Sequence, residues 1–418
     1  MNKHIWKSAA AMALVSAMAA GCSQGGSASS TASSAAGSTD DSTAASTASS
    51  TASTASTAGG ALGDTVKIGL NFELSGGVAD YGTKELNGAK IAINQFNARE
   101  DKPFTVEGVE IDDKGEPAES INAIQKLIEQ DGVVGVVGPA TSASSIATYE
   151  FATSKATPVL SPSATQVDAM MKQDGTPYEY AWRICFEDSY QGKGMADYAY
   201  NDLGLRKVAV INEVSDYGNG LAKAFSEEFK SLGGEVVDET QYQSGDKDFA
   251  SFITKLKDKD FDGIYIGGYY NEAAQIVKAA QADGIDKPII GADGFDSQDF
   301  IDQVGTDAAN NIYYTTAYTA IDPSDELKTF IEDYKAEYGE DPSMFAALSY
   351  DATNLLLSSL EASGETGAAL NEAIKKADFS GITGSFSFDE SNHTPVKSVL
   401  VVELVDGVQS NVKEVKAE

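Results

Sequence analysis

The 418-residue chain is poor in the residues that most often carry catalysis or bind metals. It contains two histidines, His4 and His393, and two cysteines, Cys22 and Cys185. A histidine-based catalytic triad and a histidine-rich metal site are therefore nearly excluded, and Cys185 has no partner for an internal disulfide once Cys22 is set aside. We expect no catalytic residue, no metal and no cofactor, and we expect Cys185 to be a buried core thiol.

Positive charge is also scarce. The chain has 30 Lys and Arg against 63 Asp and Glu, which gives a formal net charge of −33 at pH 7. Such a surface repels nucleic acid and anionic lipid, so we expect no nucleic-acid partner. Long apolar runs are missing too, because no segment after the N-terminal region approaches the roughly 18 apolar residues of a membrane-spanning helix.

The N-terminal region is typical of an exported protein. Lys3 and Lys7 precede a short apolar run over residues 9–20, which is too short to span a membrane but suits a signal-peptide core. The Ala-Ala-Gly before Cys22 resembles the bacterial lipobox; the alternative is an ordinary secretory signal followed by a chance cysteine. We expect residues 1–21 to be a lipoprotein signal peptide and Cys22 to be lipidated.

Residues 22–63 are dominated by Ser, Thr, Ala and Gly. Nothing in this composition can form a core, so the segment is predicted to be a flexible tether. Signal peptide, lipidated cysteine and tether together predict an extracytoplasmic body anchored by lipid to the cell membrane.

From Asp64 onwards, short apolar strand patterns alternate with helical stripes. The first run of this alternation ends near residue 137, and a second run extends from Val208 to Ile290. Alternation of this kind predicts an α/β fold with parallel sheets covered by helices, and two runs predict two similar lobes. A helical stretch from Ser324 to Ala362 and two late strands follow, so we expect the chain to cross between the lobes more than once.

Two polar loops follow predicted neighbouring strands of the first run. Gly138–Ser142 follows the strand at 133–137, and Ser161–Thr165 follows the strand at 158–160; each is predicted to open a helix. Ligands of open α/β sheets bind at the carboxyl ends of the strands, where helix N-termini and hydroxyls suit a carboxylate. Simple N-capping by Ser and Thr is the alternative interpretation.

The second run offers complementary groups at its strand ends. Tyr269 follows the strand at 264–266 and would wall an apolar pocket, whereas Asp293 follows the strand at 289–290 and would pair with an ammonium group. A carboxylate site opposite a carboxylate side chain fits an α-amino acid zwitterion. Other acidic clusters, such as Asp112 and Asp113, lack the spacing of a calcium loop and are expected to be solvated.

The order and spacing of these segments resemble the branched-chain amino-acid-binding proteins, which are type I periplasmic binding proteins of ABC transporters. The resemblance covers essentially all of residues 64–418 and includes the segments 74–82, 138–145, 161–165, 216–218, 267–269, 291–294 and 381–389. It implies two doubly wound parallel-sheet lobes joined by a three-strand hinge. The implied N-terminal lobe is 64–186 plus 319–384, and the implied C-terminal lobe is 187–318 plus 385–418.

The resemblance also implies the role of each site residue. Ser142 and Thr165 would bind the ligand carboxylate, while the Ser163 carbonyl, the Thr165 hydroxyl and Asp293 would hold the ammonium. The remaining implied positions line the cleft or its side-chain pocket: Tyr81, Tyr217, Tyr269, Ala140 and Thr141. The family commonly has Glu where this chain has Asp293, and the small, mildly polar Ala140–Thr141 pair departs from a pocket for leucine.

The implied function is the extracytoplasmic component of an ABC importer. As a monomer it would close around an amino acid, with aliphatic or branched-chain ligands first, and deliver it to a membrane permease. On the same fold, the alternatives are a ligand sensor or a binder of an amide, urea or an aromatic acid. A secreted α/β enzyme is disfavoured because only His393 remains as a histidine in the body.

Overall fold

We describe residues 59–415 of a computed structural model of the chain. The predicted signal peptide, Cys22 and most of the predicted tether lie outside the described residues. Within 59–415, no helix is both long enough and apolar enough to cross a membrane.

The strands belong to three sheets. In chain order they are β1 (Thr65–Phe72), β2 (Thr105–Asp112), β3 (Val136–Val137), β4 (Val159–Ser161), β5 (Ala181–Arg183), β6 (Lys207–Glu213), β7 (Glu235–Tyr242), β8 (Gly263–Gly267), β9 (Ile289–Gly291), β10 (Ile312–Thr316), β11 (Asp378–Gly381), β12 (Gly384–Asp389), β13 (Thr394–Pro395), β14 (Val399–Val405) and β15 (Val408–Val415).

Helices cover the sheets and connect most of the parallel strands. In chain order they are α1 (Ala79–Ala98), α2 (Pro117–Lys126), α3 (Ser142–Ser154), α4 (Asp188–Asp197), α5 (Asp216–Ser231), α6 (Ala250–Leu256), α7 (Tyr270–Ala282), α8 (Gln298–Val304), α9 (Asp325–Tyr338), α10 (Met344–Ser363) and α11 (Ala368–Lys375). A π-helical turn extends α2 over Leu127–Asp131, and another extends α4 over Tyr198–Asp202.

The first sheet has the strand order β2-β1-β3-β4-β5, and every pairing in it is parallel. Its central strands are buried on both faces, which explains their nearly continuous apolar sequence. Helices α1 and α10 pack closely against each other beside it. At their crossing, a Cβ on Gly88 would lie 2.0 Å from the carbonyl oxygen of Ala346, so only glycine permits this approach.

The second sheet has the order β15-β14-β10-β9-β8-β6-β7. Strands β6 to β10 pair in parallel, whereas β14 and β15 run antiparallel. The sheet is therefore mixed, which refines the prediction of purely parallel lobes. Helix α5 packs against this sheet and follows directly from its sequence. Ser215 caps its N-terminus, and Gly233 follows its end at φ 99°. Its buried stripe consists of Leu221, Phe225 and Phe229.

The chain passes between the two sheets three times, after β5, after β10 and after β13. Strands β11, β12 and β13 form a small antiparallel sheet beside the last passage. In this region the ring of His393 stacks on Trp182 of β5 at 3.9 Å. Three passages agree with the predicted hinge, while the exact lobe boundaries stay a prediction.

Several elements have no counterpart among the sequence predictions, namely β5, α4, α8, β10, α11, β11, β13 and β15. The predicted helical stretch from Ser324 to Ala362 is two helices, because Gly339 adopts φ 76° at the end of α9 and Pro342 follows. One prediction is wrong: Ser161–Thr165 does not open a helix. It is an irregular loop between β4 and β5.

Candidate functional site

A small cavity lies where the carboxyl ends of strands from both large sheets meet. All nine ligand-contacting residues proposed from the sequence line it, together with Gly294 and Phe345. The lining residues are Tyr81, Ala140, Thr141, Ser142, Ser163, Thr165, Tyr217, Tyr269, Asp293, Gly294 and Phe345. Its position follows the rule that open α/β sheets bind ligands at the strand ends.

The first side of the cavity consists of α1, the start of α10 and the loops after β1, β3 and β4. Helix α3 begins at Ser142, directly after the turn that follows β3. This turn requires Gly138, which has φ 97° and approaches the carbonyl of Asn71 so closely that a Cβ would lie 2.0 Å from it. The Ser142 hydroxyl accepts a hydrogen bond from the N–H of Gln166 at 3.2 Å, which joins the two predicted polar loops.

Arg183 holds the second of these loops from beneath. Its guanidinium is fully buried and donates to the carbonyls of Ala164, Gln166 and Val167 at 2.8–3.1 Å. It also donates at 2.8 Å to the Thr394 hydroxyl and to the Glu187 carboxylate. All five N–H groups of Arg183 are thereby used. This anchor, which the sequence prediction missed, explains how Thr165 is positioned without a helix.

A buried carboxylate, Glu73, lies under the other polar loop. It accepts the N–H groups of Ala140 and Thr141 at 3.0 and 2.8 Å and the Thr141 hydroxyl at 2.9 Å. Burial, and next the charge of Asp113, raise the pKa of Glu73 to about 7. The expectation of a solvated Asp113 is wrong: it is fully buried and accepts a hydrogen bond from Ser120 at 2.8 Å.

Ser163 is bonded in a similar way. Its hydroxyl lies 2.5 Å from Oε1 of Glu85 and 2.9 Å from the carbonyl of Ala140. Burial, and next the charge of Glu73, raise the pKa of Glu85 well above its ordinary value. Within the described residues, the carbonyl oxygen of Ser163 accepts no backbone hydrogen bond. The side chain is therefore structural, and the carbonyl is the group left to meet a ligand.

The second side consists of the start of α5 and the loops after β8 and β9, and α4 lies behind them. It presents Asp293, which follows β9 and is only 3% exposed. Its Oδ1 accepts the Tyr217 hydroxyl at 2.7 Å and the Gln191 amide at 2.9 Å. Burial raises the pKa of Asp293. Gln191 was missed by sequence reasoning, since α4 shows no apolar stripe that would have revealed the helix.

Aromatic rings form the walls between these polar ends. Tyr81 stacks on Phe345 with ring centroids 4.1 Å apart, and Tyr217 stacks on Tyr269 at 4.9 Å. Tyr81 and Tyr269 meet edge to face at 5.8 Å and so join the two stacks. Phe345, at the start of α10, was not predicted, because an aromatic in an apolar helix gives the same sequence signal as a core residue.

Direct hydrogen bonds join the two sides over the cavity. The Tyr81 hydroxyl donates to the carbonyl of Gly294 at 2.5 Å and accepts the N–H of Tyr270 at 3.1 Å. Nearby, Ser297 donates to Asp80 at 2.6 Å. The structure therefore shows the two sides in contact, with the cavity enclosed between them.

A family model described as periplasmic binding protein matches residues 65–409, which is most of the chain. The chain belongs to this family. Members of the periplasmic binding protein family act outside the cytoplasm, so the family confirms the coarse part of the predicted location. The α/β fold predicted from the sequence is confirmed as well.

Solved structures and curated relatives agree with the family. A crystal structure of the branched-chain amino acid transporter substrate-binding protein LivJ from Streptococcus pneumoniae, in complex with isoleucine, is 39% identical, with a TM-score of 0.80 over 84% of this chain and 100% of that one. The leucine-binding protein LivK from Thermotoga maritima is 32% identical, with a TM-score of 0.76 over 84% and 97%. The Leu/Ile/Val-binding protein BraC3 of Rhizobium johnstonii is 30% identical over 74% of this chain and 83% of its own.

Proposed function

We propose that this periplasmic binding protein is the solute-binding component of an ABC importer and takes up an amino acid, with aliphatic or branched-chain ligands first. The observation that carries the proposal is the polarity of a single enclosed cavity. Hydroxyls and the N-terminus of α3 lie at its first side, and the buried Asp293 carboxylate lies at its second side. The 39% identical LivJ, which was crystallised with isoleucine, supports it.

The two ends suit the two charges of an α-amino acid. Ser142 and Thr165 would hold the carboxylate, helped by the positive end of the α3 dipole. Asp293, the Thr165 hydroxyl and the Ser163 carbonyl would hold the ammonium. A zwitterion satisfies both ends at once, whereas a simple carboxylic acid would leave Asp293 without a cation.

The walls favour an apolar ligand side chain. The Thr141 hydroxyl, which the sequence suggested would make the pocket mildly polar, is already committed to Glu73. Ala140 and the rings of Tyr81 and Phe345 provide the remaining surface.

The proposed mechanism is closure of two lobes about the three chain passages. The lobes are residues 64–186 plus 319–384 and residues 187–318 plus 385–418. Ligand would bind the first side, and the bonds from Tyr81 to Gly294 and Tyr270 would then form over it. A ligand shifts such an equilibrium by its greater affinity for the closed state. No covalent step is assigned, so the protein is proposed not to be an enzyme.

The remaining parts of the proposal concern the protein's surroundings. A lipid on Cys22 would hold the monomeric body at the outer face of the cell membrane through the Ser-, Thr- and Ala-rich tether. The closed form would then deliver its ligand to the permease of the same importer.

Isothermal titration calorimetry against a defined panel tests the ligand class. The panel contains L-isoleucine, L-leucine, L-valine, L-alanine and L-threonine, and it also contains benzoate, acetamide and urea. We expect saturable binding of one or more aliphatic amino acids and no heat from the deaminated analogue of the best ligand. Binding of benzoate or urea alone, by folded protein, would overturn the proposal and favour the alternatives on this fold.

A further inference from the structure

Two buried carboxyl groups at the second side share one amide nitrogen. The Gln191 side chain donates to Oδ1 of Asp188 at 2.8 Å and to Oδ1 of Asp293 at 2.9 Å. Because both oxygens are bonded to the same nitrogen, they cannot be farther apart than the sum of these two distances. With the two sides in contact, Asp188 is fully buried and Asp293 is 3% exposed, so water does not screen one from the other. Asp188, Gln191 and Asp293 all belong to the proposed second lobe, so opening of the lobes leaves their mutual contacts in place.

The orientation of Gln191 is fixed by its own carbonyl oxygen. This oxygen accepts the Thr315 hydroxyl at 2.6 Å and the backbone N–H of Asp293 at 3.1 Å. Two donors on one side of the amide leave only its NH₂ group to face the two carboxyls. Gln191 is therefore a positioning residue that holds Asp188 and Asp293 side by side.

No cation among the described residues neutralises the pair. Arg183 is the nearby positive charge, but all five of its N–H groups are bonded elsewhere, one of them to Glu187. Among the described residues, Oδ2 of Asp188 has no partner at ordinary hydrogen-bond geometry, although the Thr165 hydroxyl lies near this carboxyl and lowers its pKa by less than burial raises it. Two like charges this close in a buried site do not both ionise, and an unpartnered carboxyl oxygen is where a proton is expected.

The other titratable groups facing the pair carry no compensating charge. They are the phenols of Tyr81, Tyr217, Tyr265 and Tyr269, the thiol of Cys185 and the carboxyl of Asp296. Burial raises the pKa of each phenol and of the thiol well above neutrality and that of Asp296 to about 7, so none of these groups is a cation. Burial, and next the charge of Asp293, raise the pKa of Asp188 to about 8. The backbone N–H of Asp188 also donates to the carbonyl of Thr165 at 2.8 Å, which ties the pair to the first side of the site.

We infer that Asp188 and Asp293 act as one acidic pair that holds a single proton without ligand, and that the ammonium group of a bound ligand releases this proton. The inference rests on the proposed function and deepens it, because it assigns the ammonium end of the cavity to a pair. Asp188 does not line the cavity and acts through Asp293.

The sign of the linkage follows from the release of a proton. Affinity should rise with pH below the pKa of the pair, by at most about tenfold per pH unit for one proton, and should level off above it. Between pH 6 and 8 the dissociation constant for L-isoleucine should therefore fall by about tenfold or more.

Calorimetry of L-isoleucine binding at pH 7 in phosphate and in Tris counts the protons released, because these buffers differ in ionisation enthalpy. We expect more than about half a proton for the natural protein and none for Asp188→Asn, which has the shape of the protonated acid. The matched control is Glu213→Gln. Glu213 is a buried carboxyl whose pKa is raised to about 7 by burial and next by Glu272, but it does not line the cavity, so its variant should keep the release.

A measurement on the protein without ligand tests the acidic pair independently of the proposed function. In the empty protein at pH 7, the infrared spectrum of the natural protein minus that of Asp188→Asn should contain a protonated-carboxyl band, distinct from the bands of Glu73, Glu85 and Glu213, and Glu213→Gln should retain this band. If L-isoleucine binds with no proton released, or if Asp188→Asn releases as many protons as the natural protein, the pair is overturned while the ligand class stands. If the infrared band is present but no amino acid binds, the pair keeps its proton, and both the ligand class and the proposed release fail.

Discussion

The two sides of the cavity are built on opposite plans. On the first side, the ionisable groups lie beneath the surface: Arg183, Glu73 and Glu85 hold the loops that present Ser142 and Thr165. On the second side, the charge of Asp293 faces the cavity directly. Stability and ligand affinity should therefore respond differently to substitutions on the two sides, and the predictions below run from the largest expected effect to the smallest.

The largest effect is expected beneath the first side. Arg183→Met should lower the free energy of unfolding by about 4 kcal/mol, because it leaves Glu187 buried without its cation and several carbonyls without donors. Chemical denaturation measures this change. Arg99→Met is the matched control, since Arg99 pairs with Glu361 near the surface and its loss should leave the midpoint nearly unchanged. Equal losses from both variants would contradict a special role for the buried guanidinium.

On the second side, affinity rather than stability should suffer. Asp293→Ala should weaken amino-acid binding by about 3 kcal/mol, more than 100-fold, because the ligand ammonium would be buried without its carboxylate. Titration calorimetry gives the dissociation constant. Asp293→Glu should retain binding, since it keeps the charge; if Asp293→Ala binds as tightly as the natural protein, this side does not hold the cation.

The free energy of unfolding should also depend on pH, because of the buried carboxyl of Glu73 on the first side. The folded protein raises the pKa of Glu73 to about 7, so the folded state keeps a proton that the unfolded chain loses near pH 4.5. This contribution to stability is present in full below pH 4.5 and disappears as pH rises through 7; it amounts to about 3 kcal/mol, of which about 2 kcal/mol is lost between pH 5 and pH 7.5. Denaturation at pH 5 and pH 7.5 should show the fall in the natural protein and a smaller one in Glu73→Gln; an unchanged fall in the variant would exclude Glu73.

The smallest effect is expected at the surface of the first side. Ser142→Ala should weaken binding by only about 1 kcal/mol, because the backbone N–H groups at the start of α3 remain available for the ligand carboxylate. The same calorimetric titration measures it. A loss as large as that of Asp293→Ala would erase the contrast between a side built on backbone groups and a side built on a charged side chain.

Several missed elements were too short or too irregular to show a period. Strand β5 has three residues and α4 contains two glycines, so neither carries an apolar repeat that predicts its type. Strand β10 is buried throughout, and its Tyr and Thr residues do not alternate in polarity. The sequence at Ser161–Thr165 predicts a helix start, but Arg183 donates hydrogen bonds to the carbonyls of Ala164 and Gln166, and the segment has no regular structure.

The sequence by itself determined the α/β architecture and nine of the eleven residues that line the cavity, some because strand-end loops lie at one edge of a parallel sheet and others, such as Tyr81 and Tyr217, through the family resemblance. Only the tertiary structure decided which buried groups lie behind the residues that line the cavity. Asp293 is 102 residues from Gln191, and Thr141 is 68 residues from Glu73, and both pairs meet only through sheet order and the crossing of the chain. Burial then sets their protonation, and burial is a property of the packed fold rather than of any local motif.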